Sequence, residues 1–329
     1  MTLKGKRVLV TGAGGFIGSH LTEKLVREGA DVRAFVRYTS NGQPGLLTML
    51  PPEIRNQIDI YMGDLGDAEA IRNAMRDREI VFHLGALIAI PYSYVHPNDV
   101  FRVNVNATQN ILNAAREFGC ERVVHTSTSE VYGTAIYAPI DEKHPIQAQS
   151  PYSASKIAAD AMVMSYYLSF DLPVATLRPF NTFGPRQSGR AVIPTIIGQA
   201  LFSDKIELGS LTPKRDLTYV ADTVNGFLAV ATHDAAIGRV TNVGTGREVS
   251  IGELAEMVKG IVGRDTPIVT SETRVRPEKS EVFRLLCNAD WARQNLDWSD
   301  AVTLEEGLAN VIDFIRAHPD WVDTSRYEV

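Results

Sequence analysis

Short, nearly continuous apolar runs recur along much of the chain, separated by longer amphipathic stretches. RVLV (7–10), DVRAFV (31–36), IDIYMGDLGD (58–67), EIVFHLGALIAIP (79–91) and the run led by Val123 and Val124 read as buried strands. LPVATLRPFNTFGPRQSGRAVIP (172–194) reads as a strand and then a long loop broken by Pro179, Gly184 and Pro185. TGAGGFIGSHLTEKLVREG, NVNATQNILNAARE and SASKIAADAMVMSYYL carry helical periodicity. Residues 41–56 have no clear period and read as a loop. Strands alternating with helices predict an α/β fold, a doubly wound parallel sheet with helices on both faces.

The later third is more mixed. KRDLTYVADTVNGFLAV (214–230) follows the long loop. TNVGTGREVSIGELAEMVKGIVG predicts a strand, a glycine turn and an amphipathic helix, with Ser250 and Glu253 as a capping box. Residues 288–329 predict one or two amphipathic helices, with Trp291, Trp298 and Trp321 as core aromatics. The expected organisation is a dinucleotide-binding domain (1–180 plus 218–246) and a smaller mixed lobe (181–217 plus 247–329).

Gly12, Gly15 and Gly18 stand between the first strand and an amphipathic helix. Such a turn lets backbone approach a pyrophosphate, and the helix start offers N–H groups and a positive dipole end to it. Gly85 and Ala86 form a second small-residue turn after the fourth strand. The second strand ends in Arg37, Tyr38, Thr39 and Ser40 rather than an acid, which suits the 2′-phosphate of NADP; alternatively Arg37 is a solvated surface residue and the cofactor is NAD. Asp64 is either an acceptor for the adenine amino group or a helix cap, and Asp67 looks more like the cap. His83 reads as a buried structural histidine, and Asn104 and Thr108 as facing the end of the Val123–Val124 strand.

That strand runs into HTSTSEVYG, with Thr126 to Ser129 and then Glu130. Tyr152 and Lys156, four apart at the start of a helix, share one face. A nearby ammonium favours the phenolate, so Lys156 is expected to depress the Tyr152 pKa and make it a general acid–base.

The bulk numbers narrow the class. The 329 residues are 44% hydrophobic and 22% charged, with a net charge of −6, which argues against nucleic acid or an anionic membrane as partner. Cys120 and Cys287 give neither zinc spacing nor a disulfide framework, so no metal is expected and a cytoplasmic setting fits. No signal peptide precedes the glycines, and no apolar run is long enough to cross a bilayer.

TGAGGFIG, the Asp64 turn, HLGA, NVNAT, STSEVYG, YSASK and RPFNTFGP follow one another in the order that resembles the extended short-chain dehydrogenase/reductase family, over nearly the whole chain. The resemblance implies an NAD(P)-dependent enzyme acting on a nucleotide-linked sugar. Thr128 would bond the sugar 4-hydroxyl, Tyr152 would take its proton, and Lys156 would hold the nicotinamide ribose. The Thr128-Ser129-Glu130 triplet looks like that of the 4,6-dehydratases, with Glu130 removing the C5 proton and Glu130 or Ser129 assisting water loss. UDP-glucuronate decarboxylases share the triplet, and 4-epimerases stay open. Many relatives carry aspartate where Ser129 stands. The resemblance also places Phe16, Ile17, Leu65, Leu84, Ala86 and Asn104 at the cofactor. Asn181, Arg215 and Arg276 would bind the substrate diphosphate, and Asp222 would cap its helix. Arg186 and Arg190, a loop pair without balancing acids, would meet a diphosphate or the cofactor phosphate, or else stay solvated. GPRQSGRAVIP looks like dehydratases of bacillosamine- and legionaminic-type precursors, pointing to a GDP- or UDP-linked hexose or N-acetylhexosamine. A homodimer built through the helices after Asn104 and Tyr152 is implied as well.

Overall fold

The computed structural model describes residues 1–271 and 280–323. Its centre is a seven-stranded sheet of β1 (Arg7–Thr11), β2 (Asp31–Arg37), β3 (Asp59–Gly63), β4 (Ile80–His83), β5 (Arg122–Thr126), β6 (Val174–Pro179) and the Val240–Val243 strand. The order is Val240–Val243, β6, β5, β4, β1, β2, β3, and every neighbouring pair is parallel. This is the doubly wound architecture the apolar runs predict.

The continuous apolar runs arise because both faces are covered. Val8, Val10, Ile80, Phe82 and Val124 point into one layer, with Leu21 and Leu25 of α1 (Phe16–Arg27) and Val224 and Phe227 of the Val220–Thr232 helix. Leu9, Val81 and Val123, one residue out of step, point into the other, with helices Ala68–Met75, Ala107–Phe118 and Pro151–Phe170. The sheet order reverses between β1 and β4, so their carboxyl ends open a crevice suited to a ligand.

A separate apolar cluster joins helices Val192–Phe202, Ile251–Val262 and Leu304–Ala317 through Ile193, Ile197, Leu254, Val258, Leu308 and Ile312. The expected lobe differs at one place: Val282, Leu285, Ala292 and Trp298 pack into the first layer of the large sheet. Residues 41–56 also differ. They contain a 3-10 turn, Gly45–Met49, and a short helix, Pro52–Arg55, because Leu47, Leu50 and Ile54 are buried in that same layer. The Ser250–Glu253 capping box is present. Among the tryptophans, Trp298 is buried in the core, as read, and donates its ring N–H to the Asp222 carbonyl at 2.9 Å. Asp222 does not cap its own helix. It lies in the first turn and accepts from the Val302 N–H at 3.2 Å.

Candidate functional site

The turn from β1 to α1 is closed to side chains. Gly12 has φ +70°, and a Cβ there would lie 2.8 Å from the Gly85 nitrogen, so the turns after β1 and β4 meet backbone to backbone. A Cβ at Gly18 would overlap the Gly12 carbonyl oxygen and lie 2.8 Å from its carbon. The Thr11 hydroxyl ties the two turns by accepting from the Gly85 N–H at 3.1 Å. Helix α1 has Gly15 as its N-cap, with no side-chain cap and no acid in its first turn. A helix start left this way suits an anion. Gly12, Gly15, Phe16, Ile17 and Gly18 therefore stand at one edge of the crevice. Leu84 and Ala86 follow β4, and the Leu65 side chain lies against Gly85. Gly14 was not singled out in the sequence reading. A Cβ on it would meet the Pro44 carbonyl oxygen at 2.6 Å, and its own carbonyl accepts from the Leu46 N–H at 2.9 Å. The segment around Pro44 is thus laid against the glycine turn. An uncapped helix end beside backbone that admits no Cβ fits the pyrophosphate of a nicotinamide dinucleotide.

Arg37 is exposed at the end of β2, with no ion pair among the described residues. Asp64 is exposed after β3, one oxygen accepting from the Gly66 N–H at 2.7 Å. Asp67 is the cap, accepting from the N–H groups of Glu69 and Ala70.

Asn104 departs from its expected place at the cofactor. It is buried in a π-helical turn, Arg102–Asn106. Its amide donates to the Leu87 carbonyl and to the Ser155 hydroxyl, both at 2.9 Å, and its oxygen accepts from the Leu87 N–H at 2.8 Å. With these bonds made, the side chain braces the loop after β4 against the Tyr152 helix instead of reaching a ligand. His83 is the buried structural histidine expected. Thr108 donates to the Asn104 carbonyl, so the Thr108 oxygen receives the His83 Nε2–H at 3.1 Å, and His83 Nδ1 accepts from Thr11 at 2.8 Å.

The candidate reacting groups meet at the end of β5. Thr128 starts a 3-10 turn, Ser129–Tyr132, and its hydroxyl oxygen accepts from the Glu130 N–H at 3.2 Å. The Thr128 side chain is near enough to the Tyr152 phenol to favour its ionised form. Tyr152 and Lys156 lie on the Pro151–Phe170 helix, which Ser150 and Ser153 start with a capping box. Both are buried, and so is Ser129. Glu130 is half-buried and close enough to act on the phenol. The electrostatics correct the expectation of a depressed Tyr152. Burial pushes its pKa up from 10, the Thr128 hydroxyl pulls it down less, and Glu130 and Asp160 push it up further. Lys156 is itself lowered to about 8 by burial, against the opposing pull of Asp160. In the polypeptide alone, desolvation outweighs the lysine's attraction for a phenolate.

The arginines divide. Arg186 was read as lacking a balancing acid, and the structure overturns that. Its guanidinium is 3.0 Å from the Glu23 carboxylate on α1 and donates to His20 Nδ1 at 2.6 Å. His20 is held neutral, lowered to about 4 by burial and by Arg186. Glu23 is far off in sequence and invisible to a local charge count. Arg190 stays exposed, with no ion pair among the described residues. Arg215 is buried and 3.2 Å from Glu281. Arg276 lies outside the described residues. The Asn181 amide nitrogen is buried with no hydrogen-bond partner among the described residues, as a group awaiting a ligand would be.

The sequence reading missed Asp160 and Arg178, which lie buried behind Lys156. The available signal was a carboxylate four residues past Lys156, on the same helix face.

Comparison with known proteins places these features in context. A family model described as GDP-mannose 4,6 dehydratase matches residues 9–311. The chain is 33% identical over 317 residues to a UDP-glucose 4-epimerase of Mycolicibacterium smegmatis, covering 94% of this chain and 98% of that one. It is 32% identical over 319 residues to a dTDP-glucose 4,6-dehydratase of Streptomyces griseus, covering 95% of each. Among solved structures, the dTDP-glucose 4,6-dehydratase DesIV of Streptomyces venezuelae with NAD bound superposes with a TM-score of 0.86 at 27% identity, covering 96% of this chain and 99% of that one.

Proposed function

The chain belongs to the GDP-mannose 4,6-dehydratase family, and from that premise we propose that it is a nucleotide-sugar 4,6-dehydratase forming a 4-keto-6-deoxyhexose. The observation that supports it is the meeting of Thr128, Glu130 and Tyr152 at one strand end, with Thr128 and Glu130 both close enough to the phenol to act on its ionisation. A bound nicotinamide dinucleotide would supply reversible two-electron (hydride) chemistry, needed for oxidation at the sugar C4 and reduction at C6. Gly12, Gly15, Phe16, Ile17 and Gly18 would hold its pyrophosphate, with Leu65, Leu84 and Ala86 beside it and Asp64 toward the adenine. We favour NADP, because the exposed Arg37 stands where a 2′-phosphate would be met.

In this scheme Thr128 orients the 4-hydroxyl, and Tyr152 takes its proton as C4 is oxidised. The ketone acidifies C5–H, and Glu130 removes that proton. The C6 hydroxyl then leaves as water, protonated by Glu130 or Ser129. Asn181 and Arg215 would anchor the diphosphate, a match of charge and donor geometry suited to phosphate oxygens; Arg190 and Arg276 would add to them.

The test is incubation with GDP-, UDP- and dTDP-linked hexoses and N-acetylhexosamines, followed by mass spectrometry for loss of one water. Glu130→Gln is expected to oxidise C4 yet form the dehydrated product about 10²–10⁴ times more slowly, the range for a lost general base. Normal dehydration in that variant would remove Glu130 from the chemistry. A second reading, 4-epimerisation, is favoured by the likeness to the mycobacterial epimerase, and an isomer of unchanged mass would decide for it. Loss of carbon dioxide from UDP-glucuronate would instead make it a decarboxylase.

The homodimer is also a proposal, supported by Val95, Phe101, Leu168 and Phe170, which are exposed on or beside the elements expected to pair. Sedimentation as a dimer at micromolar concentration is expected. Sedimentation as a monomer would overturn it.

A further inference from the structure

Behind Lys156 lies a buried ion pair that the scheme above leaves without a role. Asp160 follows Lys156 by one turn on the same helix. Its Oδ2 accepts from Arg178 Nη2 and from the Ser127 hydroxyl, both at 2.7 Å, and its Oδ1 meets His125 Nε2 at 3.1 Å. Arg178 Nη1 donates to the Tyr132 hydroxyl at 3.0 Å, and Tyr132 donates to Asn242 Oδ1 at 2.8 Å on the last strand of the sheet. One carboxylate thus binds β5 through His125 and Ser127 and β6 through Arg178. Ser127 immediately precedes Thr128, and Tyr132 ends the turn that carries Glu130. Burying a carboxylate and a guanidinium is unfavourable unless each is fully paired, so this arrangement calls for a function.

We propose that Asp160, held in place by Arg178, is a positioning residue that keeps the Lys156 side chain in its ammonium form at neutral pH. The inference rests on the reading of Tyr152 and Lys156 as the working pair. The groups facing Lys156 are His83 on β4, His125 on β5 and Asp160 on its own helix, with Arg178 on β6 behind the carboxylate and Glu130 beyond Tyr152. Burial and the nearby lysine hold both histidines neutral. Burial weakens the hold of Lys156 on its proton, and Asp160, one turn along the same helix, opposes this. Burial pushes the Asp160 carboxyl up, but hydrogen bonds from His125 and Ser127 and the Arg178 charge hold it well below the usual range, so it stays an anion. Neutralising it removes the anion that opposes burial at Lys156 and leaves the Arg178 guanidinium behind it without its partner. The proton is then bound more weakly.

The experiment titrates the Lys156 resonance in protein labelled with [13Cε]lysine, assigned by its loss in Lys156→Met. The wild-type midpoint is expected near 8. In Asp160→Asn proton affinity should fall roughly tenfold or more, as for the loss of an opposite charge a few ångströms away. Should that variant not fold, Asp160→Asn combined with Arg178→Gln removes both charges together and carries the same titration, with a smaller fall expected. The alkaline limb of the pH profile of sugar turnover should move down with the midpoint. An unchanged midpoint in the variant that folds overturns the inference, whatever the turnover. A shifted midpoint in a protein that turns over no sugar overturns the function proposed above and still supports the coupling of Asp160 to Lys156.

Discussion

Replacing Tyr152 by phenylalanine is expected to lower turnover by about 10²–10⁴ while the protein stays folded. The substitution removes one hydroxyl and leaves the ring packing in place, so little stability is at stake. Nothing else at the end of β5 replaces the phenol in reach of a sugar 4-hydroxyl. In the proposed scheme Thr128 orients the 4-hydroxyl and Glu130 serves C5. Because burial raises the phenol in the polypeptide alone, its use as a base depends on the charge of Lys156 and on what binds beside it. Single-turnover kinetics on the nucleotide sugar that loses water, with a thermal melt as control, decide the matter. Activity within tenfold of wild type would end the assignment of Tyr152 as the base.

The second large effect lies at the other edge of the crevice. Gly18→Ala puts a methyl group onto the Gly12 carbonyl, 3.0 Å from the Ala13 Cα, and none of these backbone atoms can swing aside. Helix α1 must move off the turn. Overpacking of this kind destabilises by about 1–3 kcal/mol. The displaced helix start also loses its aim at the pyrophosphate. Two charge-assisted bonds weakened there amount to about 3 kcal/mol, or roughly a hundredfold in dinucleotide affinity. Gly15→Ala is the control. Its Cβ would approach only the Gly12 oxygen, at 3.2 Å, so it should bind far better, although both glycines belong to the same motif. Calorimetric titration with NADP and NAD measures this, and tighter binding of NADP is expected. Equal affinities in Gly18→Ala and Gly15→Ala would show that the crevice holds the cofactor elsewhere.

Much of the fold and part of the site were legible in the chain itself. VLV (8–10), IVF (80–82) and VV (123–124) are apolar at consecutive positions, and only a sheet covered on both faces buries every one of them, so the doubly wound form follows from composition along the strand. The glycine spacing, the Tyr152–Lys156 separation and the Ser250 cap are local as well, because each depends on residues within one turn of helix or loop. What the sequence could not decide was which polar and charged groups from different elements find each other in space. Arg186 looked unbalanced until Glu23 of α1 closed on it, and Asn104 looked like a ligand until Leu87 and Ser155 took up its amide. Asp160 and Arg178 meet because β5, β6 and the Tyr152 helix converge behind Lys156. Apolar periodicity is a property of neighbours in the chain and survives without the fold. Charge balance and burial depend on neighbours in space, so the ionisation of Tyr152 and Lys156 was settled only when tertiary packing removed their water.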